Sequence, residues 1–361
     1  TILDGAGGNY VLNIPPGTTD VATIMGFTIQ NASDGVRTQA KVNFLNNVVR
    51  DTGDGIDYES GSGGLCRFNN FEKNSDDGID QDESVDIVIT DNIVRNNGDD
   101  GIEIRLQGYS GPTLTNIIRN NLIIGNDEDG IQLIDYADLS DRVFYIENNI
   151  IADNAFAGLG LMDNGDTTED FRAASIPEPI YVFNNTFINN NHGISGGDNL
   201  VALNNIFSGN APIALKQVDG SSIAAYNIFY SNVTDNLGSN VDTIGTLYGD
   251  PLLAADYKLQ TGSPAVDAGA AYYVWNGSVV LDLSAGDHTE AAPDPGATES
   301  DSGSAPTPTD TPVPPTATDT PVPPTATDTP VPPTATDTPV PPTPTDTPLP
   351  TTPTDTPVPP T

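Results

Sequence analysis

The sequence predicts an all-β solenoid, and three observations carry the prediction. One phrase recurs four times between residues 40 and 135. Asn46-Asn47-Val48-Val49 is followed by Asp54-Gly55-Ile56-Asp57, and Asn69-Asn70-Phe71 by Asp77-Gly78-Ile79-Asp80. Asp91-Asn92-Ile93-Val94 precedes Asp100-Gly101-Ile102-Glu103, and Asn120-Asn121-Leu122-Ile123 precedes Asp129-Gly130-Ile131-Gln132. The Asp-Gly pairs step by 23, 23 and 29 residues, a period that marks a repeat architecture. Within each unit the apolar residues alternate instead of recurring every three to four, which argues strand and not helix. The β-branched residues also fall in short runs bounded by Asn, Asp and Gly, as strands between tight corners do. A coil of three short strands stacked on its neighbours meets all three conditions. Such a coil buries its inward residues and completes its backbone pairing only through the coils on either side.

Along the chain, residues 1–39 read as two looser coils, the second running from Gly26-Phe27-Thr28-Ile29 to Asp34-Gly35-Val36. After the four strong repeats, Asn148-Asn149-Ile150-Ile151 leads to Ala157-Gly158-Leu159, where the Asp has gone. Residues 163–179 are polar with two prolines and read as a loop leaving the stack. Further coils follow at Asn184-Asn185, Asn204-Asn205 and Tyr226-Asn227. Nine or ten coils at roughly 4.8 Å each give a stack about 45 Å long. The Gly after each Asp is expected to serve a corner with positive φ. The corner asparagines Asn47, Asn70, Asn92, Asn121, Asn149, Asn185 and Asn205 are expected to form a hydrogen-bonded ladder. This local pattern resembles the parallel β-helix repeat of pectate-lyase-like proteins, and the resemblance implies a right-handed parallel β-helix over residues 1–249.

From Gly249 the pattern changes. Tyr257-Lys258-Leu259-Gln260-Thr261-Gly262-Ser263-Pro264-Ala265-Val266-Asp267-Ala268-Gly269, with Asp294-Pro295-Gly296-Ala297-Thr298-Glu299 behind it, is similar to the closing region of secreted bacterial β-helix proteins of the "choice-of-anchor" type. A coil stack needs cover for its apolar end and unpaired edges, so 250–299 is expected to be a C-terminal cap. Residues 300–361 form a Thr/Pro-rich tail built on Thr-Asp-Thr-Pro-Val-Pro-Pro-Thr-Ala. Asp310, Asp319, Asp328, Asp337, Asp346 and Asp355 keep a period of nine. Proline at this density favours polyproline II at three residues per turn, so the period puts Val313, Val322, Val331, Val340, Leu349 and Val358 on one edge. The tail reads either as a stiff stalk carrying Thr-linked glycans or as an assembly element.

The chain carries 12 Lys and Arg against 50 Asp and Glu, a formal net charge of −38. That balance excludes nucleic acid and anionic membrane surfaces as partners. No apolar run is long enough to span a bilayer. Cys66 is the single cysteine, so it has no intrachain partner, and it sits in a strand-like run where a small buried side chain is expected. The chain opens inside a coil-like phrase without an initiator Met, which fits removal of a signal peptide. The expected location is extracellular or at a cell surface. Four Asn-x-Ser/Thr sequons stand at Asn31, Asn184, Asn232 and Asn276.

Alternation also places candidate chemistry. Val36, Ile56, Ile79, Ile102, Ile131, Leu159 and Ile194 should point inward. Their successors Arg37, Asp57, Asp80, Glu103, Gln132, Gly160 and Ser195 should point outward, as should Glu59, Asp82 and Arg105 two residues further on. Asp57, Glu59, Asp80, Asp82 and Glu103 then form a solvated carboxylate face with neighbours about 5 Å apart. Carboxylates at that distance must protonate or share a cation, and Ca²⁺ suits an all-oxygen set. Asp54, Asp77, Asp100 and Asp129 stand ready to add ligands. Resemblance to polysaccharide lyases of this fold implies a catalytic reading in which Asp80, Asp82 and Glu103 bind Ca²⁺ and Arg105 is the base, a role that needs a neutral Arg. Resemblance to polygalacturonases implies acids such as Asp76-Asp77 and Asp99-Asp100 working with a Gly-His-Gly phrase. Asn191-His192-Gly193 is half of one, several coils away.

The first expectation for function is a secreted, surface-attached structural or adhesive protein that self-assembles through coil ends or tail. The alternatives are a Ca²⁺-dependent lyase or hydrolase of acidic polysaccharides, and a non-catalytic glycan-binding module. The expected partners are further copies of the chain or extracellular glycans.

Overall fold

The structure is a computed structural model that describes residues 1–17, 21–137, 140–284, 286, 288 and 291–300. The expectations for the tail's polyproline form, its Val edge and its role lie outside the described residues. Among those residues there is no helix, and all strands but one hairpin pair in parallel. One coil runs Gly63–Arg67, Asn70–Glu72, Ile79–Gln81, and the next runs Asp86–Thr90, Ile93–Arg95, Ile102–Leu106. Each strand pairs with its counterpart one coil away, so Ile79 lies between Ile56 and Ile102. The fold is a right-handed parallel β-helix. Its inward residues Val36, Ile56, Ile79, Ile102, Ile131, Leu159 and Ile194 are fully buried, each worth about 1.5–3 kcal/mol of burial. Phe187, Phe207 and Phe229 stack at 5.0 and 5.2 Å, close to the strand spacing.

Two corners of each coil are identical from coil to coil. At the first, a residue with positive φ (Asn46, Phe68, Asp91, Asn120, Asn148, Asn184, Asn204, Tyr226) precedes an Asn. Those asparagines are Asn47, Asn69, Asn92, Asn121, Asn149, Asn185, Asn205 and Asn227. Each side-chain amide donates to the Oδ1 of the next at 3.0–3.2 Å. The same Oδ1 accepts the backbone N–H of the preceding ladder Asn at 2.8–3.0 Å. Asn70 is therefore not the ladder residue of its coil. Phe68 takes the left-handed position there, so Asn69 is the rung and Asn70 begins the strand, between Val48 and Ile93.

Five residues on, a second ladder joins Asn74, Asn97, Asn126, Asn154, Asn190, Asn210 and Asn232 at 2.9–3.3 Å, with Thr52 at its foot. The sequon residues Asn184 and Asn232 thus belong to the corners. The Asp-Gly glycines are not at positive φ either. They are glycine because the coils approach too closely for a side chain. A Cβ on Gly55 would sit 2.4 Å from the Gly78 carbonyl, and one on Gly101 2.5 Å from that of Gly130.

The third corner, between the Asp-Gly strand and the next coil, absorbs the variation in repeat length. Residues 163–179 belong to it and fold back over the stack. Ala174 and Ile176 are buried, and Phe171 stacks on His192 with centroids 4.1 Å apart. Residues 250–299 do cover apolar surface, but along the flank instead of across the end. Leu281 and Ala270 pack with Phe183, Val201, Leu203, Ile223 and Ala225. Asn184 donates to the Asp294 carbonyl at 2.9 Å, Asn204 to that of Ala270 at 2.9 Å, and Trp275 to that of Ser221 at 2.6 Å. A segment that touches three successive coils seals their side. The last coil leaves Val233, Leu237, Ile244 and Tyr248 exposed.

Candidate functional site

The Asp-Gly strands and their corner carry the chemistry. Asp54, Asp77, Asp100 and Asp129 stack as a column in which each N–H donates to the carboxylate one coil back, at 3.1, 2.8 and 2.7 Å. Asp77, Asp100 and Asp129 are buried, and burial followed by the neighbouring acids pushes their carboxyls well up. Asp54 rises to about 7, from burial first and then Asp76.

Beside this column, Asp57, Asp80, Glu103, Gln132, Gly160 and Ser195 lie in register on successive coils. The face they form is not solvated. Asp57, Asp80 and Glu103 are only 8%, 6% and 4% exposed, because side chains of the outer row fold across them. Arg105 lies 3.3 Å from Asp80 and 3.2 Å from Asp82, and it also pairs with Glu103. Arg37 lies 3.6 Å from Asp57 and pairs with Glu59. Two of the chain's own guanidinium groups thus lie among these acids. Burial still raises Asp57 and Glu103 to about 7 and Asp80 to about 9. Burial works against the charge on Arg105, but Asp80, Glu103 and Asp82 outweigh it and its pKa rises. A neutral Arg105 acting as base runs against that direction.

Among the described residues, carboxylate oxygens come within 4.8 Å of one another in four sets: Asp57, Asp80 and Asp82; Asp77, Asp80 and Glu103; Asp54, Asp76 and Asp77; and Asp99, Asp100 and Glu128. All are oxygen-only and chemically suited to Ca²⁺. Arg105 already lies against Asp80, Asp82 and Glu103, so the first two sets fit an ion poorly. Glu59, engaged with Arg37, joins none. His192 pairs with Ala157 and Ile213, so strands beginning at Ile102, Ile131 and Ala157 separate it from Asp77. Burial first, and then Lys216, lower it to about 4, and it stands neutral against Phe171. The arrangement that the polygalacturonase resemblance implied is not assembled.

Glu169 was invisible to the repeat pattern. The fold-back of 163–179 carries it to Asp129, and its carboxyl rises to about 7, chiefly through burial. Gly160 makes the room, since a Cβ there would lie 1.9 Å from an Asp129 oxygen and 2.4 Å from one of Glu169.

These coils and this face define a parallel β-helix protein. Residues 16–139, which include the carboxylate column and Arg105, match the family described as "right handed beta helix region". No curated protein and no solved structure matches the chain.

Proposed function

We propose that the chain is a non-catalytic β-helix scaffold, a secreted structural or adhesive protein held at a cell surface through its Thr/Pro tail. The observation that carries this reading is the closure of the acidic face. Asp80, Asp82 and Glu103 converge on Arg105, which occupies the space among these three acids and stays charged there. A Ca²⁺ ion, if bound, would take Asp99, Asp100 and Glu128 and would hold coils together. Self-assembly through coil ends draws support from the exposed Val233, Leu237, Ile244 and Tyr248 in the last coil and from the expectation that unpaired strand edges seek partners. Thr-linked glycans on the regular tail and extracellular glycans as partners complete the reading.

The test is unsaturated-product absorbance on a panel of polyuronates, with and without chelator, beside micrographs of the purified protein. The expected result is no turnover, with end-to-end particles. Product release that disappears in Asp80→Asn and Arg105→Ala would overturn the proposal in favour of a lyase.

A further inference from the structure

Outside the acidic face, the long third corners of three successive coils line an open cleft of about 410 Å³, walled by Tyr109, Asp141, Arg142, Pro177, Glu178 and Pro179 among others. That volume lies within the range of small-molecule clefts. Tyr109 is also a wall of an adjoining cavity of about 590 Å³, shared with Tyr136. Glu178 is 2% exposed, and neither of its carboxylate oxygens accepts a hydrogen bond from the protein. Asp135, 6% exposed, has one such oxygen as well. Arg142 is 3% exposed and fixed by the carbonyls of Gln107 (2.9 Å) and Glu83 and by the Ser140 hydroxyl, with Tyr109 5.9 Å from its guanidinium. It makes no ion pair within 4 Å of a carboxylate among the described residues. A buried carboxylate without donors is costly, so a ligand that brings donors to it is favoured.

We propose that this cavity binds a neutral sugar residue of a polysaccharide, its ring against Tyr109 and its hydroxyls donating to Glu178. The chemistry narrows the class from both sides. Glu178 and Asp141, in a chain of net charge −38, repel a uronate. The fixed Arg142 repels an amine. What remains is a neutral hydroxylated ring, and Tyr109 with Pro177 and Pro179 offers its C–H faces an apolar wall. Gly111 is part of the site's construction, because a Cβ there would meet the Tyr109 hydroxyl at 2.1 Å.

Affinity electrophoresis of the full chain tests this, in gels cast with neutral glucan, mannan, galactan or xylan and with polygalacturonate. At least one neutral polymer should retard the protein and polygalacturonate should not. Glu178→Gln and Tyr109→Ala should each weaken retention about tenfold, the effect of losing one hydrogen bond to a charged group or a comparable contact, with an unchanged circular dichroism spectrum. Gly111→Ala, which displaces Tyr109 without removing it, should weaken retention too. No retardation by any neutral polymer, equal retardation by polygalacturonate, or undiminished retention by folded Glu178→Gln and Tyr109→Ala would each overturn the proposal. If a variant fails to fold, the wild-type panel alone decides the ligand class.

Discussion

Asn69 and Asn70 are adjacent and chemically identical, yet truncating them should have very different effects. The Asn69 side chain accepts from the Asn47 N–H at 2.9 Å and from its amide at 3.2 Å, and donates to the Phe44 carbonyl at 2.8 Å and to Asn92 at 3.0 Å. In Asn69→Ala the Asn47 amide keeps the Ile24 carbonyl and the Asn92 oxygen keeps the Asn69 N–H. The groups left without this partner are the Asn47 N–H and the Phe44 carbonyl, both on buried residues. At about 1–3 kcal/mol for each stranded buried group, Asn69→Ala should cost about 2–6 kcal/mol. Asn70 is half-buried and its Oδ1 accepts no hydrogen bond, so Asn70→Ala should cost under about 1 kcal/mol. Equilibrium urea unfolding measures the difference. Because a solenoid can open coil by coil, hydrogen exchange at the Asn47 amide localises it, with an expected acceleration of about thirtyfold for each 2 kcal/mol. An Asn70→Ala variant as destabilised as Asn69→Ala would refute the ladder's frame.

Thermal stability should fall as pH rises. Glu169 and Asp135 titrate near 7 in the folded chain, both raised mainly by burial, whereas an unfolded carboxyl titrates near 4. Folded-state values raised in this way mean stability that is complete below about 4 and lost as pH climbs through about 7. Melting temperatures measured across that window should decline, less steeply in Glu169→Gln, and a rise instead would contradict the assignment. Gly101→Ala forces a Cβ to 2.5 Å from the Gly130 carbonyl and 2.7 Å from Ile123. It should cost at least about 1–3 kcal/mol in urea unfolding, while Gly249→Ala, with open space around it, should cost little.

The coil frame was legible because an inward Ile follows each Asp-Gly at fixed spacing, and alternation then orders every outward residue. Depth was not legible. Asp57, Asp80 and Glu103 stack as their spacing implies, but their burial depends on how Arg37 and Arg105 fold across them. The Asn doublets hid two roles under one letter, a left-handed corner and a ladder rung, and Phe68 in place of the first Asn shifted the frame. The second ladder had a signal in the constant five-residue step from Asn92 to Asn97 or Asn121 to Asn126, which the doublets overshadowed. Glu169 meets Asp129, and Tyr109 and Glu178 share a cavity, only through irregular segments whose course no period encodes. The two Asp-containing phrases of 250–299 marked a module, and their docking on Asn184 and Asn204 is a tertiary outcome.

Rungs of the first ladder lie 22, 23, 29, 28, 36, 20 and 22 residues apart, and those of the second repeat the series from 23 onward. Insertions and deletions have therefore accumulated along one seam of the molecule, while the other two corners stay metrically constant. A chain built this way can lengthen, lose or exchange surface ornaments without renegotiating its interior. Randomising residues 107–115, none of which is fully buried, should thus yield folded variants far more often than equal diversity placed at the asparagine turns.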